Sequence, residues 1–90
     1  MVLKGELFFD PEDRIYNDHF PGNPIVPGTL IINALSRIIN YGTFKIENFR
    51  YRNFLKPGLC SYKLEGDKGK WKCTVFDGDK TFATGTIIKD

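Results

Sequence analysis

Histidine occurs once in this 90-residue chain and cysteine only twice. Cys60 and Cys73 stand thirteen positions apart, with no CxxC and no cluster of ligands around His19, so a zinc site is not expected. No apolar run approaches the roughly 20 residues needed to span a bilayer. The N-terminal "MVLKGELFFD" lacks a hydrophobic core of signal-peptide length. Basic residues are scattered, no Lys/Arg run exceeds two, and the net charge is only +2, which does not make a nucleic-acid binder. There is no internal repeat, no low-complexity tract, no Ser-His-Asp arrangement and no glycine-rich phosphate loop. These absences lead to the expectation of a cytoplasmic protein without a membrane span, whose two reduced thiols serve as packing residues.

What is present is a domain-sized set of apolar residues. With 41% hydrophobic and 14% aromatic residues, the chain is read as one folded domain over residues 1–90. A domain this small removes only about 60–65% of its unfolded surface from water. Its aromatic content therefore suggests an assembly that hides an apolar face. Residues 2–9 alternate, with Leu3, Leu7 and Phe9 on one face and Lys4 and Glu6 on the other, which predicts a strand. Gly5 within it suggests a bulge or a close backbone approach. "DPEDRI" (10–15) reads as a turn-rich connection. Pro21, Pro24 and Pro27 each lack a backbone donor, so "FPGNPIVPG" must be an ordered loop or an extended segment at an edge.

A helix is expected over residues 28–40. Pro27 stands just ahead of it, Thr29 is a candidate N-cap, and Asn40-Tyr41-Gly42 is a stop signal. Leu30, Ile31, Ile32, Ala34, Leu35, Ile38 and Ile39 surround nearly its whole circumference, so the helix should be buried on all sides. The rest reads as strand. The long stretch 43–56 changes its apolar phase between Ile46 and Phe49, which suggests a bulge near Glu47-Asn48. Residues 59–65, 69–76 and 80–89 follow, the last two joined at the hairpin signal Asp77-Gly78. The expected class is α+β: a hotdog fold, an antiparallel β-sheet wrapped around one long central helix.

The stretch "HFPGNPIVPGTLII" (19–32) carries a resemblance. Its pattern is His-Phe-Pro-Gly, one residue, Pro, two apolar residues, Pro-Gly, then a helix. It resembles the signature of the β-hydroxyacyl-acyl carrier protein dehydratases, which are hotdog proteins. "FRYRNFLKPG" (49–58) is similar to that family's second landmark. The resemblance implies dehydration or hydration of a 3-hydroxyacyl thioester carried by acyl carrier protein or coenzyme A. The phosphopantetheine arm belongs to the substrate, so no protein-bound cofactor is implied. His19 would be the base, since an imidazole titrates near working pH. The backbone N–H of Gly28, at a helix N-terminus, would hold the thioester oxygen. Phe20, Pro21, Gly22, Ile25, Val26, Pro27 and Leu30 would contact substrate. The family's sites lie between subunits of a dimer, so a homodimer or higher assembly is expected, with 43–56 as a candidate interface edge.

The departure is Asn33. Fourteen residues after its histidine the family carries Glu or Asp, which acts as the acid on the partner subunit's histidine. Asn can accept or donate a hydrogen bond but cannot deliver a proton. A positioned acid–base group contributes roughly 10²–10⁴-fold, so its loss costs on the order of 3–5 kcal/mol in the barrier. Asp18 adjoins His19 and could orient or charge the imidazole, Asp10, Glu12 and Asp13 in the preceding connection could fold over the site, and Arg37, one turn beyond Asn33, could contact it. Three readings stay open: a dehydratase or hydratase in which Asn33 positions hydroxyl or water, a non-catalytic or complementing subunit of a hotdog heteromer, and an acyl thioesterase. Arg50, Arg52, Lys70 and Lys72 read either as a solvated strand face or as a docking patch for an acidic carrier protein.

Overall fold

The computed structural model describes residues 1–18, 22, 24–40 and 42–89, without the side chains of residues 17 and 18. Strand β1 (Val2–Phe9) leads through α1 (Ile15–Asp18) to α2 (Gly28–Ile38), and four strands follow: β2 (Phe44–Tyr51), β3 (Gly58–Gly66), β4 (Lys70–Asp77) and β5 (Lys80–Lys89). The strands form one sheet in the order β1-β3-β4-β5-β2, and every neighbouring pair is antiparallel. Among the described residues no helix is long and apolar enough to cross a membrane.

The alternation read in β1 is the one observed. Leu7 and Phe9 are buried while Glu6 and Phe8 face out. Gly5 lies opposite Tyr62 on β3, and a Cβ at that position would come within 2.9 Å of the tyrosine ring, so glycine lets the ring lie on the backbone. Asp77 pairs with Lys80 across a two-residue turn in which Gly78 takes φ 57, a backbone geometry that glycine reaches without steric cost. Cys60 and Cys73 are free, buried members of the core, with Leu64, Val75, Ala83 and Ile87.

The bulge in β2 is also present. Glu47 pairs with Thr86 and Arg50 with Thr84, so the strand holds one extra residue there, and Asn48 takes φ 52. The consequence is a change of face. Ile46 pairs with Ile87 and Tyr51 with Ala83, both core-facing positions of β5, while Phe49 packs against Gly85. Without the extra residue, strict alternation would put Ile46 and Tyr51 on opposite faces.

The helix differs from expectation in length and burial. It spans 11 residues and starts at Gly28, with Pro27 as N-cap, so Thr29 lies inside the helix rather than capping it. Asn40 takes φ 57 just beyond its end, the left-handed stop that asparagine tolerates. Ile31, Leu35 and Ser36 are buried, but Thr29, Asn33 and Arg37 are exposed. These last three recur every four residues and form a stripe on the side away from the core. The physical reason is that a single five-stranded sheet covers one side of a helix only. Ile32 and Ile38 stay half-buried at the margins.

The extended segment ahead of α2 is tied down by Val26, whose N–H donates to the Leu55 carbonyl at 2.8 Å. The turn before α1 is built by two aspartates. Asp10 Oδ1 accepts from the Glu12 N–H at 2.9 Å, and Asp13 Oδ1 accepts from the Ile15 N–H at 3.1 Å. The connection 10–15 is thus a turn, as its composition predicts, with α1 attached.

Candidate functional site

Two clefts flank α2. The first, about 250 Å³, is bounded by Ile25, Val26, Pro27, Gly28 and Ile31 on one side and by Tyr51, Asn53, Phe54 and Leu55 on the other. Among the described residues it carries no charged side chain. Gly28 is the first residue of the helix, and its N-cap proline makes no side-chain hydrogen bond to the first turn. The Gly28 and Thr29 amides precede the first bond of the helix, from the Leu30 N–H to the Pro27 carbonyl at 3.0 Å, and sit at the positive end of its dipole. The Tyr51 phenol lies against Gly28: a Cβ at position 28 would be 2.5 Å from the hydroxyl oxygen. Only glycine allows that approach. Burial pushes the Tyr51 phenol above its ordinary pKa of 10.0.

The second cleft, about 310 Å³, is lined by Phe8, Phe9, Asp10, Asp13, Tyr16, Leu30, Asn33, Ala34 and Arg37. Here polar groups converge. Asn33 and Arg37 are one turn apart on the exposed stripe. Tyr16 is only 6% exposed. Its phenol is also raised above 10.0, by burial first and then by the negative charges of Asp13 and Asp10. A larger cleft, about 420 Å³, is lined by Phe54, Leu59, Lys56 and Lys80 among others and by no residue of α2.

The residues expected to act together are therefore divided. Ile25, Val26, Pro27 and Gly28 share the first cleft, whereas Leu30 and Asn33 share the second. Asn33 stands five positions after Gly28, which rotates their directions by about 140° around a helix of roughly 100° per residue. Within one protomer the two face different spaces. His19, Phe20 and Pro21 lie outside the described residues, as does the Asp18 side chain. Gly22 is exposed with φ 84. Arg50, Arg52, Lys70 and Lys72 are exposed, and Lys70 on β4 stands 4.0 Å from Glu47 on β2, across β5.

Tyr16 and Tyr51 were not singled out by the sequence reading. Tyr51 sits inside the quoted "FRYRNFLKPG", but nothing in that pattern says its ring meets residue 28. Tyr16 sits in an unremarkable "IYND" and is found only through the cleft it shares with Asn33.

Comparison with known proteins is consistent across sequence and structure. The ApeI-like family, described as ApeI dehydratase, matches residues 2–86. The chain is 28% identical to the 3-hydroxyacyl-[acyl-carrier-protein] dehydratase FabZ of Fusobacterium nucleatum subsp. nucleatum over 99% of its own length and 71% of that protein's. It is 32% identical to FabZ of Yersinia enterocolitica over 99% of its length, but spans only 48% of that protein. Its structure is similar to one solved for "The Dehydratase Heterocomplex ApeI:P from Xenorhabdus doucetiae", with a TM-score of 0.80 and 24% identity over 97% of this chain and 85% of that one. At that identity the likeness establishes the fold: an α+β hotdog-type arrangement, an antiparallel sheet with one principal helix.

Proposed function

Because the chain belongs to the ApeI-like dehydratase family, we propose that it dehydrates 3-hydroxyacyl thioesters, or hydrates the corresponding enoyl thioesters, on acyl carrier protein or coenzyme A. The observation that carries this reading is Gly28: an uncapped first-turn position, bare of side chain, at the wall of an apolar cleft. The thioester oxygen accepts from the Gly28 N–H and gains electron density as the proton on C2 is removed. His19 takes that proton. The acyl chain lies along Ile25, Val26 and Pro27. Because Gly28 and Asn33 face different clefts of one protomer, a complete site joins the Gly28 cleft of one chain to the Asn33 cleft of another. There the Asn33 amide holds the departing hydroxyl, or the attacking water in reverse.

The test is hydration of a short trans-2-enoyl thioester by the purified protein, beside His19→Ala. Turnover by the wild type that the variant loses supports the reading, and equal rates in both would sink it. Release of free thiol instead of the 3-hydroxyacyl product would point to thioester hydrolysis.

Asn33 favours a second reading, a heteromer in which an acid-bearing homologue completes the site. The similar structure from Xenorhabdus doucetiae is itself described as a dehydratase heterocomplex. If this holds, adding an acid-bearing hotdog partner to an inert wild-type chain restores hydration. Failure of every such partner to do so removes it.

A further inference from the structure

Dehydration needs a proton for the leaving hydroxyl, and Asn33 has none to give. Among the described residues four titratable side chains share its cleft: Asp10, Asp13, Tyr16 and Arg37. A guanidinium does not release its proton in a protein. Asp10 and Asp13 are exposed, and each has an oxygen accepting a backbone N–H in the turn before α1. Tyr16 differs from all three. It is 6% exposed yet lines the cleft. Its position is fixed by its own N–H, which donates to the Asp13 carbonyl at 3.2 Å, and by the Asp13 side chain that caps the preceding amide. A phenol is a neutral donor at neutral pH.

We infer that Tyr16 is the proton donor of the site, its hydroxyl acting on the oxygen that the Asn33 amide holds. The inference rests on the dehydratase reading above. As His19 removes the proton from C2, the C2–H electron pair becomes the C2=C3 bond and the C3–O bond breaks. The leaving hydroxyl takes the Tyr16 proton and departs as water. His19 is left as imidazolium and Tyr16 as phenolate. The imidazolium gives its proton to solvent, the phenolate takes one from solvent, and the net change is loss of one water. Tyr16 lies in the same cleft as Asn33 and not in that of Gly28, so it acts on a thioester bound through the other chain. Burial and the adjacent carboxylates that raise the Tyr16 pKa keep the phenol protonated through the physiological range.

The experiment compares four forms of the full chain in hydration of a short trans-2-enoyl coenzyme A thioester: wild type, Tyr16→Phe, Asn33→Glu and the double variant. The expected result is a wild type that turns over, a Tyr16→Phe variant slower by roughly 10²-fold or more, and recovery in the double variant, where a carboxyl replaces the phenol. Tyr16→Phe keeps the ring, and recovery in the double variant separates a lost proton from a lost fold. No recovery means that the phenol is structural and overturns the inference, as does a Tyr16→Phe variant as fast as wild type. An inert wild type beside an active Asn33→Glu also overturns it while leaving the dehydratase reading intact. If both of those are inert, the dehydratase reading itself fails.

Discussion

The two clefts beside α2 share one helix and little else. Among the described residues the Gly28 cleft has no charged side chain, and it ends on a helix N-terminus without a side-chain cap, which suits an apolar chain with one developing negative oxygen. The Asn33 cleft gathers two carboxylates, a guanidinium, an amide and a buried phenol, which suits handling of water and protons. Each has a tyrosine, but Tyr51 is raised by burial alone while Tyr16 also has Asp13 and Asp10 beside it. On the proposed reading, binding and proton chemistry are thus separated by about a turn and a half of helix. A site needing both must be assembled from two surfaces.

The largest expected effect breaks both clefts at once. Leu35 is the fully buried residue on the core face of α2, the helix that forms a wall of each. Leu35→Ala should cost about 2–5 kcal/mol in urea unfolding; a loss below about 1 kcal/mol would mean that the helix is not anchored there. Next comes Gly28→Val, which collides with Tyr51 and should cost about 1–3 kcal/mol. Adding Tyr51→Ala should return part of that loss. If Tyr51→Ala makes no difference, the ring is not what requires glycine at this position.

A smaller effect separates the two phenols. In an alkaline absorbance titration both should ionise above pH 10. Asp13→Asn should lower the Tyr16 transition and leave that of Tyr51 in place. The stability sign follows. Above pH 10 unfolded phenols lose protons while folded ones retain them, so the native state binds more protons and stability falls as pH rises through that window. Tyr16→Phe and Tyr51→Phe should each lessen the fall, and an unchanged alkaline slope in both would contradict the assignment. Smallest of all, Asn33→Ala should shift stability by no more than about 0.5 kcal/mol by thermal melting, since the side chain is exposed. A larger loss would place Asn33 in the framework rather than in the cleft.

Local chemistry was legible in the sequence wherever one residue type answers one local demand. The phase change between Ile46 and Phe49 marked the β2 bulge, Gly5 marked the close approach of Tyr62, and Asp77-Gly78 marked the last hairpin. Proline before the helix and asparagine after it marked its ends to within two residues. The same reading made the helix buried on every side, because periodicity counts apolar positions and not the sheets available to cover them. Thr29, Asn33 and Arg37 are the exposed remainder.

By itself, then, the sequence determined the order of the elements, the bulge and the apolar segment ahead of the helix, and its resemblance to the dehydratases raised the expectation of an acid where Asn33 stands. Only the tertiary structure decided that Tyr51 lies on Gly28, because that contact needs the bulge to put the ring on the face of the sheet that carries Ala83 and the fold to bring the end of β2 beside the start of α2. It alone placed Tyr16 with Asn33 and set Gly28 apart from both. Such pairings join residues distant along the chain. They depend on how a rigid helix lies across a twisted sheet, and no local propensity encodes that angle.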